Sequence, residues 1–398
     1  MRNYFFLAAF IALAMLSCNG KNKNAGQTAI DMADTTNVNM ESISDNNSMY
    51  LLVGTYTGGE SEGIYVYQFD TVSGYSQYKS VVKISNPSFL AVSKDEKYVY
   101  AVSEDGNNAG AASAFAFDKK DGSLKLINSQ LTGGDAPCYI IVDDAGKHVV
   151  TANYSGGSIT LFDTKEDGSL NPAAQVITFQ GKGVDTERQK QPHLHCVKYS
   201  PDGKYLFADD LGTDKVHKFD VNNGAPGSYL KVGTPAAFKV ADASGPRHLT
   251  FHPNGKYAYL INELSGAVIG FAYDSATGNL TEMQSIQADT LNAKGSADIH
   301  VSPDGKFLYA SNRLKGDGLA IFSVNEGDGK LTKVGYQETG VHPRNFVITP
   351  NGKYLLAASR DSDVIQIFLR NQETGLLEDT FRDIRLDMPV CLKFASLK

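Results

Sequence analysis

One hairpin is written six times along this 398-residue chain. "NPSFLAVSKDEKYVYAVSE" ends at Glu104, "APCYIIVDDAGKHVVTANY" at Tyr154 and "LHCVKYSPDGKYLFADDL" at Leu211. "GPRHLTFHPNGKYAYLINE" runs from Gly245 to Glu263, "ADIHVSPDGKFLYASNR" ends at Arg313, and "HPRNFVITPNGKYLLAASR" at Arg360. In each copy, alternating apolar residues flank a short polar turn, the pattern of two antiparallel strands. The turn lysines Lys97, Lys147, Lys204, Lys256, Lys306 and Lys353 are spaced 50, 57, 52, 50 and 47. A period near fifty marks a stacked or radial array of blades.

A third strand and a Gly-containing turn follow each hairpin, as in "SITLFDTKEDGSL" and "AVIGFAYDSATGNL". A seventh such strand, "GIYVYQFDTVSGY", begins at Gly63 with no complete hairpin before it. The ends of the chain supply the missing pieces. "YLLVGTY" (Tyr50 to Tyr56) matches the second strand of the hairpin, and "PVCLKFA" (Pro389 to Ala395) matches the first. Pairing them closes a ring and removes an exposed sheet edge. The sequence therefore predicts an all-β, seven-bladed propeller with four-stranded blades, closed by its N- and C-terminal strands. A solenoid of the same period needs no complementary ends.

The first residues stand outside this pattern. Met1-Arg2-Asn3, the apolar run "YFFLAAFIALAML" and Ser17-Cys18 have the layout of a secretory signal, too short for a comfortable membrane span. The Cys after "MLS" is similar to the lipidated cysteine of bacterial lipoproteins. The expected organisation is a signal at 1–17, a lipidated Cys18 and polar tether at 18–48, and the propeller at 49–398. It makes the protein an exported monomer held to a membrane only by its lipid. Cys138, Cys196 and Cys391 remain, an odd number that argues against a disulfide framework. Their spacing is no metal motif, and they read as small packed residues. A net charge of −7 argues against a nucleic-acid partner.

In a propeller, the start of the first strand and the end of the second meet at one mouth of the central channel. Nine residues before each turn lysine stand Ser88, Cys138, His195, Arg247, Ala297 and Arg344. Seven residues after it stand Glu104, Tyr154, Leu211, Glu263, Arg313 and Arg360. Val390 and Tyr56 are the equivalents in the closing blade. Charged and imidazole groups thus gather at one rim, with His193, His248, His300 and His342 adjoining in sequence. Such residues tie neighbouring strands by ion pairs or cap turns, and His300 reads equally well as a plain strand residue. Several guanidiniums at one mouth also suit an anionic ligand, because the guanidinium fork holds phosphate or carboxylate bidentately. The turn lysines, on the opposite face, read as solvated.

"GTYT" at Gly54, "ANYSGGSITLF", "PHLHCVKYSPDGKYLF", "GPRHLTFHPNGKYAYLINE", "YASNR" and "HPRNF" resemble the bacterial propeller-type 6-phosphogluconolactonase family, from about Tyr50 to the end of the chain. The same family includes fungal carboxymuconate-lactonising enzymes. The resemblance implies metal- and cofactor-free hydrolysis of 6-phospho-D-glucono-1,5-lactone, or of another small anionic lactone. By motif it implies a site of His195 (or His193, since "PHLH" offers two), Arg247, Glu263 and Arg313. Glu263 or His195 would activate water, and His193, His248 and Arg344 would assist substrate binding. A non-catalytic propeller that displays the same basic mouth to a ligand is the alternative. No G-x-S-x-G elbow supports a serine nucleophile.

Overall fold

The computed structural model describes residues 44–222 and 229–397. Cys18 and the signal sequence lie outside the described residues, as does the tether up to residue 43. The chain folds into seven antiparallel sheets arranged around a channel, taken up one after another along the sequence. Blade I joins Pro389–Ser396 to Ser48–Thr55, Gly63–Asp70 and Ser76–Lys83. Blades II to VII begin at the inner strands Leu90–Val92, Pro137–Val142, Leu194–Tyr199, Pro246–Phe251, Ile299–Val301 and Pro343–Ile348. In blade VII the outermost position is split between two short strands, Leu377–Asp379 and Ile384–Arg385, which both pair with Val364–Arg370.

The closure anticipated from the termini is present. Tyr50 stands opposite Ala395, Val53 opposite Leu392 and Thr55 opposite Pro389. Val390, Cys391 and Leu392 are almost wholly buried. At the seam with blade VII, Leu51, Val53 and Phe69 pack with Leu356, Ile365, Ile367 and Leu392. Each such side chain contributes about 1.5–3 kcal/mol on burial.

The repeated residues have repeated jobs. Gly146, Gly203, Gly255, Gly305 and Gly352 all turn their hairpins at φ of +66° to +74°, the left-handed region that glycine enters without strain. The hairpin "SKDEKY" has Glu96 there instead, at φ 54°. The tyrosines of the second strand reach sideways to the next blade. Tyr100, Tyr259 and Tyr309 donate their hydroxyls to the carbonyls of Gly168, Gly329 and Gly375. A buried phenol thus satisfies its one polar atom while its ring packs between sheets, as in the cluster of Tyr259 and Ile261 with Leu308 and Phe322. All the turn lysines are exposed except Lys353, which is half-buried beside the carbonyl of Val72.

Candidate functional site

Hairpin geometry fixes where the two columns meet. The N–H of Glu263 bonds the carbonyl of Gly245 (2.7 Å), that of Tyr154 the carbonyl of Ala136 (2.9 Å), and that of Leu211 the carbonyl of His193 (3.0 Å). The end of each second strand is thereby pinned beside the start of the first. Strict alternation would send Arg247 and His248 to opposite sides of the sheet. A β-bulge prevents it: Pro246 pairs with Asn262 and His248 with Ile261, leaving Arg247 as the extra residue. Bulges at the same place free Cys138, His195 and Arg344.

At Arg247–His248 and Arg344–Asn345 both members of the bulge therefore face the channel. A small cavity is lined by Ser88, Cys138, His195, Arg247, Arg344 and Val390 from the first column. Phe89, His248 and Asn345, one residue later, complete its wall. Wider clefts exist between blades on the lysine face, for instance around Lys94, Asp144, His148 and Lys165. Their walls are solvated turns, with no comparable gathering of buried charge.

Glu263 is the hub of the mouth. Its Oε2 accepts from Arg247 Nε at 2.9 Å and lies 3.2 Å from Arg313 Nη2, while Oε1 lies 2.6 Å from Arg188 Nη2. Burial alone would raise the Glu263 carboxyl, but Arg313, Arg247 and Arg188 outweigh it and bring it down to about 2. The ion pairs that the strand ends suggested are thus real. They also occupy the carboxylate, so in this arrangement Glu263 is a poor proton acceptor.

Three other groups at the mouth differ in what they leave unused. Arg313 is pinned: Nε donates to the carbonyl of Gly295 (2.7 Å), and Nη1 stands 3.1 Å from His342 Nε2. Burial and Arg247 hold Arg313 below its ordinary value. Arg247 Nη1 donates to the carbonyl of Ala297 and stands 3.3 Å from His248 Nε2, but Nη2 makes no hydrogen bond among the described residues. Arg344 makes none either; it stands 3.6 Å from Glu104 and 5.4 Å over the Tyr56 ring. Burial works against its charge, yet Tyr56 and Glu104 keep its guanidinium above the usual value.

The imidazoles divide in the same way. His248 is fixed from behind: its Nδ1 lies 2.7 Å from Asp298 Oδ1. Asp298 Oδ2 also takes His300 Nε2 (2.9 Å) and the side-chain amide of Asn345. Asn345 Oδ1 in turn accepts the N–H of Leu392 on the closing strand (2.7 Å). His300 is therefore a member of the floor beneath the mouth. His195 is 4% exposed. Its ring meets those of Tyr154 and His248 edge to face, with Nδ1 3.7 Å from Cys138 Sγ. Its Nε2 has no partner among the described residues. Burial and Arg247 hold His195 well below the usual imidazole value, so the ring is neutral and its Nε2 lone pair is open to a hydrogen bond from water.

Of the two histidines in "PHLH", His195 lines the cavity, whereas His193 stacks on the Tyr154 ring at 4.4 Å and bonds the Tyr154 carbonyl. Arg360 turns outward to Asp361. Leu211 is buried. Cys138, Cys196 and Cys391 are free and buried. Among the described residues no cluster of His, Cys, Asp and Glu has the arrangement of a metal site.

Sequence reasoning missed Arg188 and the Asp298–Asn345 pair. Arg188 comes from a connection outside the repeat, so no column contains it. The floor had a signal. Eight residues before the turn lysines stand Phe89, Tyr139, Cys196, His248, Asp298 and Asn345, a second column beside the first.

Residues 50–394 match the family model described as lactonase, 7-bladed beta-propeller. The chain is 43% identical over 335 residues to a 6-phosphogluconolactonase of Formosa agariphila, covering 82% of this chain and 94% of the relative. A solved protein of Bacteroides fragilis superposes with a TM-score of 0.86 at 58% identity, covering 88% of this chain and 99% of that one. The periplasmic gluconolactonase of Pseudomonas aeruginosa superposes with a TM-score of 0.84 at 35% identity, covering 88% of this chain and 100% of that one.

Proposed function

This chain belongs to the seven-bladed β-propeller lactonases, enzymes that hydrolyse lactones, and on that premise we propose that its mouth opens 6-phospho-D-glucono-1,5-lactone to 6-phosphogluconate. The observation that carries the reading is the pair of buried guanidiniums, Arg247 and Arg344, whose unused donors border the cavity shared with His195. A neutral carbonyl in that cavity becomes an oxyanion when water adds to it. Donors already aimed at that oxygen stabilise the charge without reorganising.

His195 Nε2 takes a proton from water as the water oxygen bonds to the lactone carbonyl carbon. The resulting oxyanion rests against Arg247 and Arg344. When the ring C–O bond breaks, the proton on His195 passes to the departing ring oxygen, and the carboxylic acid ionises to solvent. Glu263, engaged by three guanidiniums, acts as the internal counterion that lets them share a small space. His248 keeps Arg247 in place, backed by Asp298. No step calls for a metal or an organic cofactor.

The mouth carries four guanidiniums (Arg188, Arg247, Arg313, Arg344) against two carboxylates (Glu104, Glu263), an excess of two positive charges. That excess suits a phosphorylated lactone. The signal-like N-terminus and the likeness to a periplasmic gluconolactonase support a second substrate, the unphosphorylated sugar lactone. Lipidation at Cys18 would hold the enzyme at the envelope, and Cys18→Ala should release it from membranes.

The test is hydrolysis of both lactones by the purified protein, followed by proton release above the spontaneous rate in buffer. Turnover that falls to background in His195→Asn supports the reading. Wild-type protein that never exceeds background on either lactone overturns it and leaves a binding propeller.

A further inference from the structure

Arg188 arrives at the mouth by a route unlike that of the other guanidiniums. It sits in residues 179–193, the connection between the last strand of blade III and the first of blade IV. The backbone there is held independently of the Arg188 side chain. Asp185 Oδ1 accepts the N–H groups of Glu187 (3.0 Å) and Arg188 (3.1 Å), and Asp185 Oδ2 pairs with Lys294 of a neighbouring connection (3.1 Å). Gln189, 1% exposed, donates to the carbonyl of Leu211 and to Asp214 Oδ1, both at 2.8 Å. Its own Oε1 accepts the N–H of Asp185 at 3.0 Å.

On this fixed platform the guanidinium leans inward. Its Nη2 meets Glu263 Oε1 at 2.6 Å and the Tyr154 hydroxyl at 3.1 Å. The Arg188 side chain is 38% exposed, against 1% for Arg247 and 6% for Arg313. Among the described residues Glu263 Oε1 takes a hydrogen bond from Arg188 only, whereas Oε2 is shared by Arg247 and Arg313.

We propose that Arg188 is the specificity-determining residue of the site, exchanging Glu263 Oε1 for the phosphate of an incoming phosphorylated lactone. The assignment rests on the lactonase reading and names the group that selects among lactones. The exchange leaves both charges paired: Arg188 trades one anion for another, and Glu263 keeps two guanidiniums after it. Phosphate accepts the planar fork bidentately, which a single carboxylate oxygen does not. Glu263 Oε1, once released, faces the mouth as an acceptor for a sugar hydroxyl. The substrate thus uncovers part of its own binding site.

Arg188→Ala and Arg188→Lys, assayed on 6-phosphoglucono-1,5-lactone and glucono-1,5-lactone, test the assignment. For Arg188→Ala, KM for the phosphorylated lactone should rise about 10- to 100-fold, the range for a lost charge-assisted hydrogen bond. The loss should be selective: the ratio of kcat/KM for the phosphorylated over the unphosphorylated lactone should fall about 10- to 100-fold, beyond any change that both substrates share. Arg188→Lys should recover part of the loss, since it keeps the charge without the fork. Equal losses on both lactones would reveal a merely structural arginine and overturn the proposal. So would unchanged kinetics on both, or a wild type that turns over the two equally well. Failure of the lactonase reading looks different: the wild type then turns over neither.

Discussion

Every hairpin of the ring has two ends, and the two ends obey opposite rules. At the turn face the copies resemble one another, and three of the six share one turn bond. Ser93, Ser200 and Ser302 each bond an aspartate two residues on, at 2.7, 2.7 and 2.6 Å, and nearly every turn lysine stands in water. At the mouth the copies disagree: the same strand position holds Ser88, Cys138, His195, Arg247, Ala297 and Arg344. Agreement among repeats is what a closed ring needs, since each blade must present a similar flank to its neighbour. Disagreement is what a site needs, since a small substrate offers no sevenfold symmetry. The charges differ in kind as well. Most turn lysines are hydrated and cheap to lose, whereas the charges at the mouth are buried and depend on one another.

Removing Pro389 to Lys398 tests the rule of agreement with the largest expected effect. It takes away a buried channel strand and exposes Ser48–Thr55 as an edge, so the ring should unfold or aggregate, read by thermal melting. A truncated protein that melts like the full chain would mean that agreement between blades holds the ring without closure. On the other side of the comparison, His195→Asn should lower kcat by about 10²- to 10⁴-fold with the melting curve little changed. Glu263→Gln should be the opposite kind of variant. It leaves three guanidiniums without their shared carboxylate and should cost about 3–5 kcal/mol of stability, seen in denaturant unfolding. If it costs less than about 1 kcal/mol, the mouth is as loosely coupled as the turns.

Acid sharpens the same contrast. Because the Glu263 carboxyl is lowered from 4.5 to about 2 in the fold, its contribution is complete above the unfolded value. It should fade as pH falls from about 4.5 toward 2, and Glu263→Gln should flatten that part of the stability profile. Lys256→Ala should be the smallest change of all, within about 0.5 kcal/mol and with unaltered kinetics. A larger effect would show that the turn face is more than solvated decoration.

The ring was legible because its rule repeats: turn lysines in register, seven third strands and complementary ends leave few other arrangements. The mouth was legible where the site follows that register, so His195, Arg247, Glu263 and Arg313 fall in two countable columns. What escaped lies off the register or one step beside it. Arg188 belongs to a connection of a length that no other blade repeats. Asn345 reaches the channel because the bulge at Arg344 turns two successive residues inward, which simple alternation forbids, and Asp298 stands just ahead of the strand Ile299–Val301, where alternation gives no guide. That three guanidiniums converge on the Glu263 carboxylate was also out of reach, a matter of three dimensions.

The hydrogen bond from the Leu392 N–H to Asn345 has a consequence for the life of the chain. Leu392 lies in the strand synthesised after every other strand of the ring, and Asn345 holds the aspartate that steadies His248. A growing polypeptide can carry six well-formed blades and still lack the strand that anchors Asn345 in the floor of its mouth. The mouth should therefore be completed only at the end of synthesis rather than by degrees, and a ribosome stalled before residue 389 should release an open ring with Asn345 unanchored.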